Sequence, residues 1–500
     1  MRLANRSLQR GNRRHRPDHQ EGLEFVAETR CMDNGLVRTR DSAATLVLLV
    51  SLYTFELSGL LLAIAIPRSG GKPILSFLAS RPGLFCLVAF PILVASSAVI
   101  VHQYRMSRRT GSRQFGLVVM MNLVTVLILL TVGELAIRVF SFQTTEGLVF
   151  MNISLLPRSW GDVVVRNHEI LKRASTNDPY LVYDDLMGWT IGSNRRSADG
   201  LNFSSVEGIR SPRSEMAFAD LPVTYRIALI GDSFTFCLDV KYEESWGNQL
   251  ERALGPEFQV LNFGVPGYGL DQAYLRYYRD VRPWDPDVVI FGVFPHDLER
   301  TMTVYNLVSF PEWEYPFAKS RFVMNGERLA ILNVPPLTPE AIFSKSSIKD
   351  LPFIEYDRGY NQADWQWRYY HHSHLLRFLI SRYPLWPVPS QDVSEVAMKS
   401  VNSELMRSFV RLATAEHSIP IVVYLPARKD LRASSPHPEG AMGFEQSVLR
   451  SAGIAYTDLT PCLLEVSPFD RFVVGARHYS PQANAAIANC LREVLVRHLS

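Results

Sequence analysis

Apolar positions are spread unevenly along this chain. Three long runs without alternation, 43–66, 84–101 and 115–138, crowd into the first 140 residues, and beyond them apolar stretches are short and separated by polar ones. A run of about 20 apolar residues matches the ~30 Å hydrocarbon core of a bilayer, so the pattern predicts a membrane anchor over 43–140 with three transmembrane helices. The second run is the shortest and carries Pro91, but Arg81 and Arg105 mark water boundaries on either side of it.

From residue 141 onward β-branched stretches at 225–230, 259–262, 288–291, 419–425 and 454–457 alternate with segments of helical character. Such alternation predicts an α/β fold in which a parallel sheet carries helices on both faces. Right-handed crossovers then gather the loops at the carboxyl ends of the strands. The chain divides accordingly into a leader over 141–220 that packs on a domain over 221–500. A segment rich in proline and aromatics, 301–389, interrupts the rhythm between the third and fourth strands and is expected to roof a site there.

The 52 Lys and Arg nearly cancel the 49 Asp and Glu, leaving +3, which excludes a nucleic-acid binder that works by bulk charge. The local distribution is more telling. Nine arginines fall in residues 1–42, and Arg105, Arg108, Arg109 and Arg113 stand between the second and third runs, against Arg68, Lys72 and Arg81 between the first and second. The positive-inside bias then makes 1–42 a disordered basic cytoplasmic tail and places everything after the third span outside a plasma membrane. Glu134 precedes Arg138 by one helical turn, the spacing of an i,i+4 ion pair; Glu56 needs a partner within the helix bundle.

The five cysteines show no CxxC and no zinc-ligand spacing. Cys462 and Cys490 both fall in the outer part, where a disulfide from the segment after the fifth strand to the last helix is one option and two free thiols the other. His371, His372 and His374 point in different directions and have no acid at i+4, which favours a helix face over a metal site.

Four blocks carry chemistry. The first strand runs into Gly231-Asp232-Ser233, where a serine opening a helix meets free N–H groups, although Asp and Ser are also ordinary caps. The second strand is followed by Asn262-Phe263-Gly264-Val265-Pro266-Gly267-Tyr268-Gly269, the third by Phe294-Pro295-His296-Asp297, and His478-Tyr479-Ser480-Pro481 precedes the last helix. In this order, at strand ends, the blocks resemble the SGNH (GDSL) hydrolase superfamily. The likeness spans about 184–499, with Met187-Gly188-Trp189 and Gly208-Ile209-Arg210 similar to the leader of membrane-anchored bacterial members.

The resemblance implies a flavodoxin-like three-layer α/β/α sheet and an acyl ester hydrolase or acyltransferase without cofactor or metal. Ser233 is then the nucleophile and His478 the general base. The oxyanion donors map onto the amides of Ser233 and Gly267 and the side chain of His296, with Asp232 and Asp297 in support. Two positions depart from the pattern: His296 replaces the usual Asn, and Gly475 replaces the Asp expected three residues before the histidine. Backbone carbonyls near Gly475 or Ala476 are one substitute for that Asp, giving a Ser-His dyad, and Asp470 is another. Arg477 is expected to face solvent and Cys237 to be a buried core residue four positions along the nucleophile's helix.

Two functions follow. The first is an outward-facing serine esterase or O-acyltransferase acting on an acylated envelope glycan, an exported polysaccharide or a lipid. The second is a degenerate domain that binds a glycan or an envelope-assembly protein without turnover, using aromatics such as Trp284 or Tyr268 for stacking.

Overall fold

The computed structural model describes residues 43–59, 81–110, 113–144, 147–175, 179–310, 316–383, 395–431 and 443–499. The basic tail, the end of the first apolar run (60–66) and the loop with Arg68 and Lys72 lie outside the described residues. The chain forms two compact units, Met1–Phe140 with Ser373–Pro387, and Ser141–His372 with Val388–Ser500.

In the first unit, helix α1 (Ala43–Gly59) is short and apolar. Helices α2 (Arg81–Thr110) and α3 (Gln114–Phe140) follow. Among the described residues two helical stretches are long and apolar enough to cross a membrane, Leu87–Thr110 and Phe115–Phe140. The second apolar run ends at 101 in the sequence, yet its helix continues to Thr110 through Arg105, Arg108 and Arg109. Intrahelical hydrogen bonding does not stop where the side chains turn polar, and cations near a helix C-terminus are favourable.

Glu134 does more than the sequence assigns to it. Its carboxylate accepts Nε–H of Arg138 (2.6 Å) as expected, and also the Ser373 hydroxyl (2.7 Å) and the amides of His374 (2.9 Å) and Leu375 (2.8 Å). It therefore caps the helix His374–Arg382, whose first-turn amides lack intrahelical partners. The 301–389 segment is thus not one piece, since its described residues 373–383 belong with the apolar helices.

The second unit is built on a five-stranded parallel sheet of β1 (Tyr225–Ile230), β2 (Phe258–Asn262), β3 (Val288–Val293), β4 (Ile419–Tyr424) and β5 (Tyr456–Asp458), in the order β5-β4-β3-β1-β2. In β1 and β3, Ile227 pairs with Val288 and Ile230 with Phe291. Successive side chains point to opposite faces. Ala228, Ile230, Leu261, Val289, Phe291 and Val422 join one core, while Ile227, Leu229, Val260, Val288, Ile290 and Ile421 join the other. Both alternating sets are apolar because both faces are covered.

The elements around the sheet are α4 (Ser233–Phe236), α5 (Trp246–Leu254), α6 (Leu270–Arg276), α7 (Pro295–Arg300), α8 (Glu395–Ala415), α9 (Phe444–Ser451) and α10 (Pro481–Leu499). Met406 and Phe409 of α8 and Leu449 of α9 fill the first core; Trp246 of α5 and Leu491 of α10 fill the second. Cys462 and Cys490 form a disulfide that ties the short helix Thr460–Leu464 to α10. From β1 the chain first goes to β2 on one side and then crosses to β3 on the other, which opens a crevice at the carboxyl ends of β1 and β3.

A third core lies beside that crevice. It joins Met187 and Trp189 of the leader, Phe236 of α4, Val265 and Tyr268 of the glycine-rich turn, and Phe317 and Phe322 of the 301–389 segment. The same segment is pinned by Lys319, whose buried ammonium pairs with Asp271 on α6.

Candidate active site

At the end of β1 the chain passes very close to β3. Gly231 has φ +153°, and a Cβ there would stand 2.9 Å from the carbonyl oxygen of Gly292, so a side chain has no room. Asp232 then caps α4, its Oδ1 accepting the amide of Phe234 at 2.8 Å. Ser233 is the first residue of that helix.

Ser233 Oγ lies 2.8 Å from Nε2 of His478. On the far side of the ring, Nδ1 lies 2.6 Å from Oδ2 of Asp239. The imidazole sits by the ring of Phe234 (4.8 Å between centroids), which stacks on Phe294 at 3.7 Å. With Nδ1–H donating to the carboxylate, Nε2 is left to accept the serine hydroxyl, which is the arrangement that activates a serine nucleophile. The hydrogen bond from His478 holds the Asp239 carboxyl below the usual carboxylate range, so it is charged at neutral pH.

Asp239 is the residue that sequence reasoning missed. Of the substitutes considered for it, the Ala476 carbonyl accepts from Arg428 (2.8 Å) and Asp470 is exposed, while Gly475 lies in the turn of a hairpin. In that hairpin Phe472 bridges Tyr479 and the amide of Val473 donates to the His478 carbonyl at 3.0 Å. Gly475 has φ +76° with open space around it; this left-handed conformation strains any L side chain, an aspartate included. The acid instead follows the nucleophile by six positions. The available signal was an acid just beyond a one-turn helix, whose chain can fold back toward the serine.

That reversal also changes the place of Cys237. It is not on a helical face shared with Ser233 but ends α4 in the left-handed conformation, φ +64°. Its side chain is buried as expected, and burial pushes the thiol up to about 11. Arg477 is exposed.

The amides of Ser233 and Gly267 donate to no protein acceptor among the described residues. His296 is the second residue of α7. Its side chain is 59% exposed, with Nδ1 3.6 Å from Glu299, and it makes no hydrogen bond to Ser233 or His478 among the described residues. Asp232 and Asp297 meet at one cation: Nη1 of Arg300 donates to Asp232 Oδ2 (2.9 Å), Asp297 Oδ1 (2.9 Å) and the Tyr268 carbonyl (3.2 Å). Arg300 thus joins the three loops after β1, β2 and β3. Burial, and then the charge of Asp232, push the Asp297 carboxyl well above the ordinary range.

Arg300→Met leaves two buried carboxyl groups without their shared cation. It is expected to cost about 3–5 kcal/mol, read as a lowered unfolding midpoint of the purified chain, together with a loss of any Ser233-dependent activity.

Of the two aromatics suggested for stacking, Tyr268 is not available for it and Trp284 is half-buried. Tyr268 is fully buried with its hydroxyl on the Trp189 carbonyl (2.6 Å), and Trp284 packs edge-on against Phe263. Nor do the histidines of 371–374 converge. Nδ1 of the buried His371 accepts the amide of Arg368 (2.9 Å), His372 is exposed, and His374 opens the helix capped by Glu134. No group of three metal-ligating side chains occurs among the described residues.

No family model and no curated protein sequence matches this chain. Among solved structures, it is similar to a lipase/acylhydrolase from Enterococcus faecalis, with 12% identity, 54% of this chain and 96% of that one covered, and a TM-score of 0.27. An acetyl xylan esterase is similar at 11% identity, with 54% and 98% covered and a TM-score of 0.30. An acetylxylan esterase from Geobacillus stearothermophilus is similar at 12% identity, with 54% and 93% covered and a TM-score of 0.28.

Proposed function

We propose that this chain is a serine ester hydrolase or O-acyltransferase held in a plasma membrane, with its α/β unit outside. The observation that carries the reading is the line Ser233–His478–Asp239, with hydrogen bonds of 2.8 and 2.6 Å. His478 takes the serine proton as Oγ attacks an ester carbonyl, an acyl-serine forms, and the same imidazole returns the proton to the leaving alcohol. Water or a sugar hydroxyl then accepts the acyl group. The amides of Ser233 and Gly267 receive the developing oxyanion, and the exposed imidazole of His296 supplies a third donor when substrate brings it inward. In this reading the substrate is an acylated envelope glycan, an exported polysaccharide or a lipid.

Three spans with the amino terminus inside accord with the arginine bias and with the two span-length helices over Leu87–Thr110 and Phe115–Phe140. The non-catalytic alternative drew its support from His296 and Gly475, where an Asn and an Asp were expected. Asp239 stands where the second of these left a gap, and of the two aromatics that reading relied on for stacking, Tyr268 is buried.

The test is to trap the intermediate. Full-length protein mixed with a short-chain activated ester and quenched within a turnover is expected to carry one acyl group, which peptide mass spectrometry locates on Ser233. A wild-type protein that turns the ester over without acylation of Ser233, or that shows neither, sinks this reading.

A further inference from the structure

Asp239 sits on a segment with no regular structure of its own. Residues 237–240 follow a single helical turn that ends at Phe236 and reverse through the left-handed Cys237. Such a segment keeps its shape only if its buried carbonyls find donors. The donors come from the leader. Arg210, 1% exposed, lies on a two-residue strand paired with Phe203–Ser204. Its Nη1 donates to the carbonyls of Phe236 and Cys237 (2.7 Å to the latter), and its Nη2 to Val240 at 2.6 Å. The guanidinium also lies over the Phe236 ring, 4.6 Å from its centre. Asn202, equally buried, donates to the Leu238 carbonyl at 3.1 Å. Four of the five carbonyls in 236–240 are therefore held by two leader side chains, and the one between them belongs to Asp239.

We propose that Arg210 is a positioning residue for the catalytic acid: with Asn202 beside it, it fixes the turn that presents Asp239 to His478. This inference rests on the proposed serine chemistry. Arg210 touches neither substrate nor the reacting atoms. It acts through the backbone on either side of Asp239, where a displacement of about 1 Å is enough to cost ~100-fold in rate. The planar fork of arginine is what the arrangement uses. One nitrogen serves residues 236 and 237 while the other serves residue 240; a lysine ammonium is a single point and cannot span them.

The test compares full-length Arg210→Lys, Asn202→Ala, Asp239→Asn and the Arg210→Lys/Asp239→Asn double variant. Each is first checked for folding by its unfolding midpoint. For an activated ester, Arg210→Lys is expected to lower kcat about 100-fold with KM little changed, and Asn202→Ala to lower it less, in the same direction. In the Asp239→Asn background the lysine is expected to add under about threefold, because the acid it positions is already gone. An equal loss in both backgrounds overturns the proposal, since that is what a general structural role gives. The low-field proton resonance of the His478 Nδ1–H bonded to Asp239 gives a second readout that needs no turnover. It is expected in wild type, absent in Asp239→Asn and lost or shifted in Arg210→Lys. A resonance unchanged in Arg210→Lys overturns the proposal. Should the lysine variant not fold, Asn202→Ala carries the same comparison. Wild-type protein with the resonance but no Ser233-dependent turnover contradicts the proposed function and leaves the positioning role supported.

Discussion

Ser233→Ala is expected to abolish labelling by a serine-directed fluorophosphonate and to lower ester turnover by about a million-fold. In serine triads, removal of the nucleophile alone costs nearly as much as removal of all three members, because the three act as one unit. Here the unit is tight. Oγ has one imidazole 2.8 Å away, and that imidazole is held at its other nitrogen and against the Phe234 ring. His478→Ala should fall within a few-fold of Ser233→Ala, and the double variant should be no worse than either. The variants are compared with wild type as purified full-length proteins with matched unfolding midpoints. A Ser233→Ala protein that keeps wild-type turnover removes Ser233 from the chemistry.

Asp239→Asn is expected to lower kcat by about 10,000-fold while the chain remains folded. The amide keeps the shape of the carboxylate but no longer fixes the imidazole in the tautomer that leaves Nε2 free, and it offers no charge to the imidazolium formed during acylation. Asp470→Asn, at the position considered from sequence, should leave kcat within about twofold. Turnover near wild type in Asp239→Asn makes the chain a Ser-His dyad.

Asp239 also carries a pH dependence of stability. Its folded-state pKa is depressed, chiefly by the hydrogen bond from His478. Stability from this contact is therefore present above the ordinary carboxylate pKa of about 4 and is lost as pH falls through the depressed value. The melting temperature of wild type is expected to exceed that of Asp239→Asn at pH 7, with the gap closing toward pH 3. A gap that stays constant over this range contradicts the assigned partner.

Much of the protein was legible in its residues. The five strands sit where β-branched stretches predict them, within a few residues at each end, because period-2 burial on a sheet covered on both faces requires local runs of apolar side chains. Two long apolar runs became helices long and apolar enough to cross a membrane for an equally local reason, since length and composition are properties of contiguous residues. Ser233 and His478 could be singled out because each sits in a short block with its own backbone requirement, a strand-to-helix turn for one and the approach to α10 for the other. Their meeting, across 245 residues of chain, was inferred from resemblance and is made by the sheet.

What the sequence left undecided was which polar groups face one another across such distances. Gly475 read as a missing acid, but a left-handed hairpin turn needs glycine there, and Asp239 reaches the same imidazole from the opposite loop. Arg300 stands in no motif of the sequence, yet it joins the loops after three strands. Glu134 read as half of a local ion pair and also caps a helix that starts 240 residues later. Apolar periodicity is written locally because any apolar neighbour satisfies an apolar side chain. A buried donor or acceptor needs a particular partner at a particular distance and angle, and only the folded chain decides which one it meets.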